Sequence, residues 1–89
     1  MNHYILTADV YAHWGDVHPV YRVYVNNDLL TERTFIWPGH EVFIRENIEV
    51  SLRKGVHKVR IEHINGHGAI EVKNITVNGN ASADEFTVD

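Results

Sequence analysis

Cysteine is absent from this 89-residue chain, which excludes disulfides, thiolate metal sites and cysteine nucleophiles together. Proline occurs twice and glycine six times, too sparsely for a linker, a repeat or a low-complexity segment. No apolar run approaches the roughly 20 residues of a membrane helix. The opening stretch from Met1 to Val10 also lacks the basic segment and long apolar core of a signal peptide. Synthesis in the cytoplasm and no membrane partner are therefore expected. Eight basic and twelve acidic residues leave a formal charge of −4. Neither sign is gathered into a block, so a phosphate-tracking surface, and with it a nucleic-acid partner, is not expected. No segment shows the 3.6-residue apolar period of an amphipathic helix.

What is present is alternation. Tyr4, Leu6, Ala8 and Val10 share one parity within a first strand spanning about residues 3–11, the period-two pattern of a strand with one buried face. Residues 12–19, with Gly15 and Pro19, interrupt it as a loop. Tyr21, Val23 and Val25 mark a second strand over 20–25, and Asn26, Asn27 and Asp28 supply a hairpin turn that tolerates a left-handed backbone. A third strand over 29–36 ends at Trp37, Pro38 and Gly39, with Trp37 expected as a lid on the core. Three more follow between Val42 and Gly79, separated by Arg53-Lys54-Gly55 and by Ile64-Asn65-Gly66-His67-Gly68.

The last of these strands changes parity, because Ile70 and Val72 are even whereas Ile75 and Val77 are odd. A β-bulge at Lys73-Asn74 would return both pairs to one face. Six or seven short strands separated by regular turns predict an all-β fold, a small antiparallel two-sheet β-sandwich with no substantial helix. An open barrel is the alternative. Residues 1–79 are expected to form this single domain. Residues 80–89 form a C-terminal tail, frayed unless Phe86 and Val88 dock on the sheet or on a neighbour.

The order of landmarks resembles small jelly-roll carbohydrate-binding modules of the calcium-dependent xylan-binding type. The matching phrases are Tyr21-Arg22-Val23-Tyr24-Val25-Asn26, Gly55-Val56-His57-Lys58-Val59-Arg60-Ile61 and Val72-Lys73-Asn74-Ile75-Thr76-Val77-Asn78-Gly79. The resemblance implies a jelly-roll-like, non-catalytic sandwich that binds polysaccharide, with calcium at one end. Here, however, Lys73 stands where the family has an acidic residue, and Asn65 where an Asn-Asp pair is usual. An ammonium at a ligand position opposes a hard cation, so no cofactor is expected.

Trp14, with Asp16, His18, Asn65 and His67, forms the candidate ligand-binding set. An indole face can carry a sugar ring while the polar side chains bond its hydroxyls. A metal at His13, His18, His63 and His67 is a weaker idea, because their spacing matches no ligand motif. Glu46, Glu49, Glu62 and Glu71 are expected to solvate an outer face, pairing with Arg45, Lys58, Arg60 or Lys73. No nucleophile or positioned acid–base pair is evident, and no enzyme is expected.

A second reading has equal weight. The chain resembles in type the small accessory proteins of tailed phages, which are incorporated in a virion. In that reading its partner is another protein or further copies of itself in a homo-oligomer, met through sheet edges or through exposed residues such as Tyr24, Phe43 and Phe86.

Overall fold

The computed structural model describes residues 2–36, 42–65 and 68–89. The expected lid at Trp37 and its turn, as well as Gly66 and His67, lie outside these residues. The chain is all-β and antiparallel, with strands β1 (Asn2–His13), β2 (Val20–Val25), β3 (Asp28–Thr34), β4 (Phe43–Leu52), β5 (Gly55–His63), β6 (Ala69–Val77), β7 (Asn80–Ala81) and β8 (Glu85–Val88). They form two four-stranded sheets, ordered β4-β1-β6-β7 and β3-β2-β5-β8, packed as a small sandwich.

Alternation sets which side chains meet between the sheets. Leu6, Ala8, Val10 and Ala12 of β1 face Tyr21, Val23 and Val25 of β2, and all seven are buried. The core divides along its length. Leu6, Val25, Leu52, Val59 and Val88 cluster at one end, while Val10, Ala12, Tyr21, Val23 and Phe35 cluster toward the 12–19 loop. Ile48 of β4 packs against both. Burying each such aliphatic side chain stabilises the sandwich by roughly 1.5–3 kcal/mol.

The parity change does produce a bulge, one residue beyond the expected Lys73-Asn74. Thr7 faces Thr76 but Asp9 faces Lys73, so Asn74 and Ile75 together oppose Ala8. Asn74 adopts a left-handed backbone (φ 55°), which asparagine tolerates better than most residues. The β2–β3 turn likewise uses Asn26 (φ 59°), and the β6–β7 turn uses Asn78 and Gly79 (φ 50° and 82°), the pairing that a two-residue hairpin loop favours.

Two expectations are corrected at the ends of elements, and the C-terminal segment takes the docked of its two alternatives. The first strand continues through Ala12 and His13, because β6 pairs with it as far as His13↔Ala69. The third strand stops at Thr34. Phe35 leaves it to bury its ring completely and bonds from its backbone N–H to the Pro19 carbonyl at 2.8 Å. The segment 80–89 supplies β7, paired with β6 at Thr76↔Ala81 and Val77↔Asn80, and β8, paired with β5 from Gly55↔Val88 to Lys58↔Glu85. Val88 is buried in the first core cluster and Phe86 packs against it.

The register also orients the whole sandwich. β1 begins beside Leu52, and β8 ends beside Gly55, so both chain ends flank the β4–β5 turn. The 12–19 loop and Asn65 lie at the opposite end.

Candidate functional site

The two loops singled out from sequence meet at that opposite end. Pro19 accepts from Phe35, and the Val20 carbonyl accepts from the Ile64 N–H at 2.9 Å, which ties both loops to the rim of the second core cluster. Trp14 is half-buried against this cluster. The exposed imidazole of His18 lies 4.3 Å from the Trp14 ring, centroid to centroid, tilted by 44°. His18 Nδ1 is 3.3 Å from the Phe35 carbonyl oxygen. The Asn65 amide donates to the His18 carbonyl at 2.5 Å, and its Oδ1 lies 2.6 Å from His63 Nε2. Gly68 closes the group from the other loop. Its backbone is left-handed (φ 80°), and a Cβ there would run into the His13 carbonyl oxygen and the Trp14 side chain, so only glycine permits the approach.

Of the sequence-derived set, then, the structure brings Trp14, His18 and Asn65 together and adds His63. Asp16 is exposed on the same loop, and His67 lies outside the described residues. Among the described residues no three His, Asp or Glu side chains converge on a point where a metal ion would sit. Lys73 lies elsewhere, mid-strand on the outer face of the β1 sheet. Its Nζ is 4.9 Å from the centre of the Tyr11 ring and 3.5 Å from Glu71.

Two carboxylates outside this set are the most enclosed polar groups of the described residues, and sequence reasoning missed both. Glu46, expected on a wet outer face, is only 3% exposed. It accepts from the Tyr21 hydroxyl at 2.6 Å and from Arg33 through Nε and Nη2. Its position shares the parity of Ile44, Ile48, Val50 and Leu52, and that signal points it inward. The triad joins β4 of one sheet to β2 and β3 of the other. Burial, and then the bonded carboxylate, push the Tyr21 hydroxyl well above its ordinary pKa. The hydroxyl therefore stays a proton donor.

Asp9 has the opposite parity to its buried neighbours on β1 and points to the outer face, yet it is 2% exposed. Its cross-strand partners cover it. Arg45 donates through Nε at 2.8 Å and Nη2 at 3.3 Å, and Asn74 donates at 3.0 Å from the bulge. The Arg45 hydrogen bond holds the Asp9 carboxyl below its usual range, against the opposing effect of burial. The same face carries Tyr11 and Phe43, ring centres 5.2 Å apart, with the Arg45 guanidinium 5.7 Å from the Phe43 ring.

The remaining acidic residues behave as a solvated surface. Glu62 pairs with Arg60 at 2.5 Å, Glu49 lies 3.5 Å from His3, and Glu32 accepts from Arg22 at 2.7 Å. Tyr24 is half-buried beneath Arg60, whose guanidinium carbon sits 4.2 Å from the ring centre. Phe86 is core-packed rather than an exposed docking residue, whereas Phe43 is 40% exposed. Of the clefts lined by described residues, two open between the sheets on opposite flanks. One, of about 420 Å³, is lined by Val25, Leu30, Glu49, Leu52 and His57 among others. The other, of about 300 Å³, is lined chiefly by Val59, Arg60, Ile61, Val72 and Ile75. Neither includes the Trp14 end.

Comparison of the chain with protein-family models, curated proteins and solved structures returns no match.

Proposed function

We propose that this sandwich is a non-catalytic binding module that takes a polysaccharide at the end where Trp14, His18 and Asn65 meet. The observation that carries this reading is the Trp14–His18 ring contact, braced by Asn65 from the second loop. The Trp14 indole offers an apolar ring to the C–H face of a sugar, with the His18 ring tilted beside it, and Asp16, His18 and Asn65 supply hydrogen-bonding atoms for its hydroxyls. The two enclosed carboxylates support the non-catalytic part. Each is engaged by an arginine, and they point to opposite faces of the β1 sheet, so they do not line a common cleft as a glycosidase pair would.

The test is calorimetric titration against a panel of soluble plant, bacterial and animal polysaccharides. Wild-type protein should bind at least one member. His18→Ala and Trp14→Ala should each weaken that binding about tenfold or more, equivalent to about 1.4 kcal/mol. His18 is exposed, so its variant separates lost contact from lost folding. Absence of wild-type binding to every member would overturn the reading.

A second reading, a structural or assembly subunit such as a virion accessory protein, is favoured by a different feature. β4 is ten residues long and lies at the edge of its sheet, and an open edge of that length is a template for pairing with another chain.

A further inference from the structure

The charge pattern along β4 says which chain fits its edge. β4 pairs with β1 from Tyr11↔Phe43 to Asn2↔Leu52, and among the described residues no strand pairs with its other side. We propose that a second copy of this chain does so, β4 against β4 in antiparallel register about a twofold axis through Asn47, joining two four-stranded sheets into one of eight. This inference deepens the assembly reading and rests on it.

Opposed residues of an antiparallel pair project to the same face. A twofold axis perpendicular to the sheet therefore keeps the buried faces of both copies on one side. On the outer face of β4 stand Phe43, Arg45, Asn47, Glu49 and Ser51. With the axis at Asn47, each Arg45 faces the Glu49 of the other copy, twice by symmetry. Asn47 meets Asn47, and on the inner side Ile44 meets Val50. Moving the axis to Arg45 or to Glu49 sets like charges face to face, and moving it to Ile48 leaves Arg45 against Ser51. The Asn47 register is thus the one in which the strand complements itself, and opposed charges directly across a ladder are stabilising where like charges are not.

Both side chains are available. Arg45 and Glu49 are 60% and 67% exposed; Asp9 of β1 takes Nε and Nη2 of Arg45 from the side away from the open edge, and Nη1 is the nitrogen left to meet Glu49 of the other copy. A ladder of this length alone falls short of the about 1,600 Å² of a standard stable interface, so the dimer forms as concentration rises.

Light scattering over a concentration series, together with cysteine cross-linking, tests this on the full chain. The protein has no cysteine of its own, so an introduced thiol reports only the new contact. Opposed Cα atoms lie about 4.5–5.5 Å apart, within disulfide reach. Wild-type protein should pass from monomer to dimer. Asn47→Cys should cross-link under mild oxidation, whereas Ser51→Cys, about 27 Å from its symmetry mate at strand spacing, should not. Glu49→Arg should shift the equilibrium at least tenfold toward monomer. A dimer that is indifferent to Glu49→Arg and not cross-linked by Asn47→Cys overturns this register while leaving the assembly reading standing. A strict monomer that forms a stoichiometric complex with another defined protein does the same. A strict monomer at every concentration with no stable complex overturns both.

Discussion

Tyr21, Glu46 and Arg33 show how one inward-pointing charge organises its surroundings. A carboxylate removed from water costs several kcal/mol unless its oxygens are matched, and here a hydroxyl and a guanidinium match them from the facing sheet. Tyr21→Phe keeps the ring that fills the core and removes only the hydroxyl. It should lower stability by about 2 kcal/mol, the range of a hydrogen bond to a charged group, read as a shift in the urea midpoint with the slope unchanged. Asp9 predicts a pH dependence. Its folded pKa is depressed, so its contribution is present in full above about pH 4, the unfolded value. That contribution is lost as pH falls through the folded value. Asp9→Asn should therefore be less stable than the wild type at neutral pH, with the difference shrinking toward about pH 2. Urea midpoints at both pH values check this, and a constant gap would contradict the assignment.

At the level of elements, the strands and turns were legible because period-two alternation is a direct consequence of the pleat. β2 occupies its expected residues, and a bulge forms at Asn74-Ile75 because two parities cannot share a face without an extra residue. The two enclosed carboxylates were not legible in the same way. Glu46 carried the right parity but the wrong chemistry for a core position, and Asp9 carried the right chemistry for a wet face that Arg45 and Asn74 happen to cover. Sequence spacing does not show such covering. The approach of Gly68 to Trp14 was equally invisible. Gly68→Ala should cost about 1–3 kcal/mol, because it combines a left-handed backbone with a clash against a carbonyl. The expected result is a lower urea midpoint and a changed near-ultraviolet aromatic signal from the displaced Trp14. An unaltered midpoint would show that the two loops separate freely.

At the scale of the whole molecule, the strand order was the hardest part to read. Only the β2–β3 and β6–β7 connections are hairpins, and the other five cross from one sheet to the other, so neighbours in space are mostly distant in sequence. The candidate end was legible to the extent that two loops flanking matched strands must emerge together, and they do. The placement of both termini beside the β4–β5 turn has a practical consequence. The molecule is 44 Å along its longest axis, and Trp14 lies at the far end from either terminus. Whatever is attached to one terminus, whether a bead, a fluorophore or another domain, stands behind the sandwich and leaves the Trp14 loop facing outward. Immobilised protein should thus present the same end to solution regardless of which terminus holds it.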